Sequence, residues 1–255
     1  SWTDLILSRS AGVLDSSTQG ANLSGDPGWL RIFNNQLGGQ VSWLLPLALV
    51  GLAAGLAVTL RSRRTDGTRA GYVLWGLWAL VMIAVFSSAS GTVHSYYTVV
   101  LAPAVAALAG GGSVELWRLG RDRRGMAWLL PAAVAGSGIC SAVLLGRVTG
   151  YTPGLSTAVV VVGVLAALGL LAVLVRAGES RLRRAVVLVS VALAVVALLA
   201  GPFAYVLSTV ERDVSGSTAA AGPSTGGPNT GMSSDSDLTV DEELIDYLCE
   251  NRGNA

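Results

Sequence analysis

The sequence predicts an all-α polytopic membrane protein with six transmembrane helices, and three observations carry that reading. Hydrophobic residues make up 52% of the 255, charged residues 13%, and mean hydropathy is +0.59; a water-soluble domain carries about 25% charge. Six apolar runs are long enough for a bilayer core, which takes about 20 residues per helix. Arginine, which supplies all 17 basic residues, is concentrated in alternate connections between those runs. The net charge of +1 offers no basic surplus for nucleic acid. Two cysteines are too few for a disulfide framework or a zinc ribbon. A soluble enzyme, a disordered chain and a disulfide-rich secreted domain are thereby excluded.

In chain order the runs are Val41–Leu60, Tyr72–Ser90, Tyr96–Gly112, Ala127–Gly146, Ser156–Val175 and Ala185–Leu207. None has an ionisable residue at its centre. The third is the shortest, with room to extend to Trp117. Helices are required because hydrocarbon offers no partner for backbone N–H and C=O groups; barrel strands would alternate apolar and polar residues, and these runs do not. Arg61, Arg63, Arg64 and Arg69 separate the first pair. Arg118, Arg121, Arg123 and Arg124 separate the third from the fourth, and Arg176, Arg181, Arg183 and Arg184 the fifth from the sixth. Twelve of 17 arginines thus fall on one side, which the positive-inside rule makes cytoplasmic. Both ends of the chain are then external, and the location is the plasma membrane.

Outside the helical region, residues 41–208, the chain divides into three external parts. Residues 1–40 are polar, and Trp29–Phe33 has the makings of a short interfacial helix anchored by Trp and Arg. Residues 209–237 contain a Gly/Ser/Pro-rich stretch, Ser215–Ser236, with the composition of a flexible linker. Residues 238–255 regain an apolar stripe at Leu244, Ile245 and Leu248 and read as the start of a soluble external domain. The chain as a whole reads as an internal piece of a longer polypeptide.

Two clusters carry candidate chemistry, both at external helix ends. The first is Arg31, Asn34, Asn35, Gln36 and Gln40, with Gly38-Gly39 among them. Amides donate and accept, which suits sugar hydroxyls; Arg31 suits a phosphate. The second is His94, Tyr96 and Tyr97, after a turn so short that the helices it joins must be antiparallel neighbours. Imidazole and phenols bind phosphate or hydroxyl groups; the plainer role is an aromatic belt. Gly51 and Gly55 have the spacing of a close helix contact, in a chain where glycine is common. No P-loop, Rossmann fingerprint, HExxH or serine triad is present. Asp4, Asp15 and Asp26 are external, and nothing marks one as a general base. No ligand cluster indicates a metal or other cofactor.

Leu30 to Pro46 resembles a segment of actinobacterial membrane glycosyltransferases, in the protein mannosyltransferase and aminoarabinose-transferase-like branch of the GT-C superfamily. Ser90 to Pro103 resembles a second segment, which in that family reads His-Pro-Tyr-Tyr; here Ser95 takes the place of the proline. The family also carries a Gly/Ser-rich linker and an external domain after its last helix. The resemblance implies transfer of a sugar from a polyprenyl-phosphate carrier, held among membrane lipids, to an acceptor on the external face. It implies a catalytic acid in a first external loop that this chain does not match, so no catalytic residue is assigned. A divalent metal serves some members and not others.

Two other functions compete. A transporter half requires polar residues in the helix middles, which these helices lack. A non-catalytic membrane anchor accounts for the linker, but not for the amide loop and the His-Tyr-Tyr turn occurring together. The orientation has a direct test. With Cys140 and Cys249 replaced by serine, a thiol probe should label Arg121→Cys only after cells are permeabilised; labelling from outside would invert the topology.

Overall fold

The computed structural model describes residues 27–89, 94–148, 150–151, 154–175, 180–210 and 220–223. Of these 83% are helical, and none lies in a strand. Among the described residues six helices are long and apolar enough to cross a membrane: α1 (Gly38–Thr59), α2 (Gly67–Ser88), α3 (Ser95–Asp122), α4 (Arg124–Gly146), α5 (Leu155–Val175) and α6 (Arg181–Val210). The count matches the six expected runs. The expected turn Gly91–Val93, the external helix near Leu244 and Asp4, Asp15 and Asp26 lie outside the described residues.

The ends of the helices differ from the apolar runs. Helix α3 continues past Gly112 through Glu115 and Arg118 to Asp122, and α6 starts at Arg181. Hydropathy marks where hydrocarbon ends, whereas backbone hydrogen bonding continues into the interface, and Arg and Leu are good helix formers. Asp66 caps α2, accepting from the Arg69 amide at 2.8 Å.

Consecutive helices touch along the whole chain, so each reverses the one before. Helix α1 lies against α2, α3 and α4, and α5 with α6 completes the bundle beside α4. Its centre is Leu45, Ala48, Leu101, Ala104, Leu108, Leu116 and Ala166, all buried. Leu74, Leu77, Leu80, Leu165, Leu168 and Leu188 point outward and exposed. An apolar exterior over an apolar core is the pattern of a lipid-solvated bundle.

Helices α1 and α3 approach each other backbone to backbone at a glycine pair. A Cβ on Gly51 would stand 2.7 Å from the Gly112 Cα, and one on Gly112 2.5 Å from the Gly51 Cα. Gly55 instead faces the Tyr72 ring of α2. The Gly51/Gly55 spacing therefore serves two neighbours rather than one.

The N-terminal ends of α1 and α3 are irregular. Helix α1 opens with a single turn, Gly38–Val41, and a 3-10 turn, Ser42–Leu44, before regular α-helix at Leu45–Thr59. Helix α3 opens with a 3-10 stretch, Ser95–Leu101, before Ala102–Asp122. Irregular backbone at membrane depth needs outside partners, and neighbouring helices supply them. The Leu47 amide donates to Ser137 Oγ of α4 at 3.0 Å. Trp78 Nε1 of α2 donates to the Val100 carbonyl at 2.9 Å.

The Gly51–Gly112 contact should be intolerant of size. Gly112→Val should lower the melting temperature or abolish folded protein, by fluorescence-detected size exclusion with a heating series. Gly110→Ala, where a Cβ meets nothing within 4 Å, should be neutral or raise stability by about 0.5–1 kcal/mol. Equal behaviour of the two would remove this contact from the account.

Candidate functional site

The two predicted clusters occupy the same end of the bundle, opposite the arginine-rich connections. The first turn of α1, Gly38–Val41, touches the 3-10 stretch Ser95–Leu101 of α3. Each segment also touches α2, through the turn Arg31–Phe33 on one side and Ser95–Leu101 on the other.

The eight candidate residues divide by what their side chains already bond to. Arg31 is 3% exposed. Its guanidinium donates to the Phe86 carbonyl at 3.3 Å and to the Ala89 carbonyl. These are acceptors at the end of α2, where a helix has no further donors of its own and presents a partial negative charge. The Arg31 Nη1 is thereby engaged by the end of this helix. Trp29, 91% exposed, does stand outward.

Asn34 organises the loop. Its Oδ1 accepts from the amides of Gln36 at 3.0 Å and Leu37 at 2.7 Å. Its carbonyl accepts from the Gly38 amide at 3.0 Å and from Arg147 Nη1 at 2.9 Å. Short polar side chains favour such local turns. Gln40 reaches further. Its Nε2 donates to the Ala221 carbonyl and its Oε1 accepts from the Ala221 amide, both at 2.9 Å.

That pairing holds Ala221, within the stretch expected to be a flexible linker. The Gly222 amide donates to Thr209 Oγ1 at 2.9 Å. Gly222 has φ +102°, and a Cβ there would stand 2.3 Å from the Tyr205 ring. Gly39 also meets that ring, with a Cβ position 2.7 Å away. Trp43 stacks edge-on against Tyr205 at 4.8 Å and donates from Nε1 to the Gly39 carbonyl. The reading of an unattached Ser215–Ser236 therefore does not extend to Ala220–Pro223; the rest of it lies outside the described residues.

Of the remaining five residues, Tyr96 and Tyr97 are hydrogen-bonded to each other. Asn35 is exposed and Gln36 half-buried, and neither side-chain amide bonds to a described residue. His94 stacks on Tyr96 with ring centres 5.2 Å apart and meets Tyr97 edge-on at 5.4 Å; the two tyrosines meet at 4.8 Å. Tyr96 and Tyr97 are 41% and 45% exposed, and His94 is half-buried. This three-ring group offers apolar faces for a sugar ring together with two hydroxyls and an imidazole.

Sequence reasoning passed over Arg147. It is exposed, and its guanidinium lies over the amide loop at Asn34. The available signal was its isolation as the sole arginine between the fourth and fifth apolar runs, on the arginine-poor side. The described carboxylates, Asp66, Glu115 and Asp122, all sit at the opposite end. Among the described residues no three His, Cys, Asp or Glu side chains gather into a metal-binding set.

The latch formed by Gln40 is open to measurement. Gln40→Ala should raise amide hydrogen exchange at Ala221 and Gly222 by about tenfold, as the loss of about 1–1.5 kcal/mol of hydrogen bonding requires, while α6 stays protected. Unchanged exchange would mean that the tail is held by something else.

No family model matches the chain, and no solved structure matches it. Two curated proteins of Bacillus subtilis (strain 168) are similar. "Putative mannosyltransferase YkcB" is 39% identical over 238 residues, which is 91% of this chain and 32% of that protein. "Putative mannosyltransferase YycA" is 39% identical over 128 residues, 49% of this chain and 18% of that protein. The chain spans about a third of the first relative's length. Over 91% of its own length the chain is thus similar to a protein named as a mannosyltransferase, and its described helices are of membrane-spanning type.

Proposed function

We propose that the chain is the membrane part of a glycosyltransferase, of the GT-C type, that moves a sugar from a polyprenyl-phosphate carrier to an acceptor at the external face of the plasma membrane. The observation that carries this reading is the meeting of the amide loop and the His94-Tyr96-Tyr97 group at one end of the bundle, across the contact between Gly38–Val41 and Ser95–Leu101. The names of the two similar proteins support the reaction class and suggest mannose as the sugar.

Depth favours a lipid-linked donor. The prenyl chain stays between helices, and the phosphate stays at the interface, which avoids burying an unpaired anion. Asn35 and Gln36 hold sugar or acceptor hydroxyls. Tyr96 and Tyr97 flank the sugar, and His94 hydrogen-bonds the phosphate or passes it a proton. Arg147 is the exposed cation nearest the amide loop and neutralises charge there. Arg31, Asn34 and Gln40 act one step back, as positioning residues. The acid or base of the reaction is not among the residues assigned, and the acceptor is defined here only by its side of the membrane.

The test compares variants of the full-length polypeptide in membranes supplied with polyprenyl-phosphate mannose. His94→Ala should lower transfer by about 10- to 150-fold, the cost of a hydrogen bond to a charged group of about 1.5–3 kcal/mol, with an unchanged melting temperature. Arg31→Ala should lower both transfer and melting temperature, because it uncovers the end of α2. Wild-type transfer by His94→Ala would return the three rings to an aromatic belt.

A further inference from the structure

A second feature lies at the other end of the bundle and is independent of sugar transfer. Between α2 and α3 runs an open groove of about 340 Å³. Its apolar wall is Trp75, Leu108 and Val114, and its polar end is Thr68, Glu115 and Arg118. From Ala107 to Arg118 it follows α3 for about 16 Å at 1.5 Å per residue, close to one leaflet of a hydrocarbon core about 30 Å thick. Tyr72, donating to the Gly111 carbonyl at 3.0 Å, ties the two helices beside it.

The charge around the polar end is one-sided. The same end of the bundle carries Arg61, Arg63, Arg64, Arg69, Arg118, Arg121, Arg123 and Arg124 against Asp66, Glu115 and Asp122. Arg118 has a 67% exposed side chain, and its nearest carboxylate oxygen, on the far less exposed Glu115, is 3.7 Å away. That distance is long for a hydrogen bond, so the guanidinium keeps its donors for another acceptor.

We propose that this groove is a binding site for an anionic membrane phospholipid, with one acyl chain along α2 and α3 and the phosphate at Arg118. Basic pockets between membrane helices on the arginine-rich side attract such headgroups. The apolar length suits a chain rather than a soluble phosphate. A zwitterionic lipid would gain the apolar contact without the surrounding charge.

Trp75 reports occupancy. The full-length protein is placed in nanodiscs of unbrominated phosphatidylcholine, with a small fraction of brominated phosphatidylglycerol or brominated phosphatidylcholine. The quenching due to Trp75 is taken as the difference from Trp75→Phe. Half-maximal quenching should occur at about fivefold lower fraction with phosphatidylglycerol, the effect of one arginine at an anionic surface. Arg118→Gln should bring the two curves together. So should Gly71→Leu, which fills the groove at a position where a Cβ meets nothing within 4 Å; both variants should keep the wild-type melting temperature. Coincident curves in the wild type, or a preference that survives either substitution, would overturn the site.

Discussion

A helix that ends near the edge of a bilayer leaves its last carbonyls without intrahelical donors. At the C-terminal end of α2 those carbonyls belong to Phe86 and Ala89, and Arg31 answers both. The rest of this end of the bundle is arranged around this contact. It draws the segment before α1 onto α2 and places that segment beside the start of α3, where His94, Tyr96 and Tyr97 stand. A second tie, from the Gly28 amide to the Ser87 carbonyl at 2.8 Å, reinforces it. The buried charge is tolerated because it faces aligned carbonyl dipoles rather than hydrocarbon.

From this constraint follows a division of labour among polar residues that look alike in sequence. Asn34 and Gln40 shape backbone, whereas Asn35 and Gln36, their neighbours, remain open. The irregular first turn of α1 makes the division: it leaves amides and carbonyls for side chains to satisfy, and it brings Gly39 against Tyr205. Gln40 and Tyr205 then hold the segment that follows α6, so chain from both ends of the bundle meets at the candidate site.

The helices were legible in the sequence because bilayer thickness imposes a length that hydropathy reports directly. Their ends were less so: Glu115, Arg118 and Asp122 interrupt hydropathy without interrupting hydrogen bonding. That two clusters of unusual residues share one end of the bundle was legible as well, since both fell at helix ends opposite the arginine-rich connections. The roles of single residues were not. Arg31 bonds to carbonyls 55 and 58 positions away, and Gln40 to a residue 181 positions away. Backbone acceptors have no residue signature, so no pattern in the sequence distinguishes an arginine that closes a helix from one that meets a phosphate. Ala220–Pro223 was hidden for the same reason, since its partners are an amide, a hydroxyl and a ring face supplied by distant helices.

The central claim is that a lipid-linked sugar is met where the first turn of α1 touches the start of α3. Photocrosslinking with a polyprenyl-phosphate mannose bearing a diazirine beside the phosphate tests it most directly, in membranes containing the full-length protein. The account predicts adducts on peptides covering Asn34–Gln40 and His94–Leu101, competed by unmodified donor. Adducts confined to the arginine-rich end of the bundle, or spread evenly along the lipid-facing helices, would contradict it.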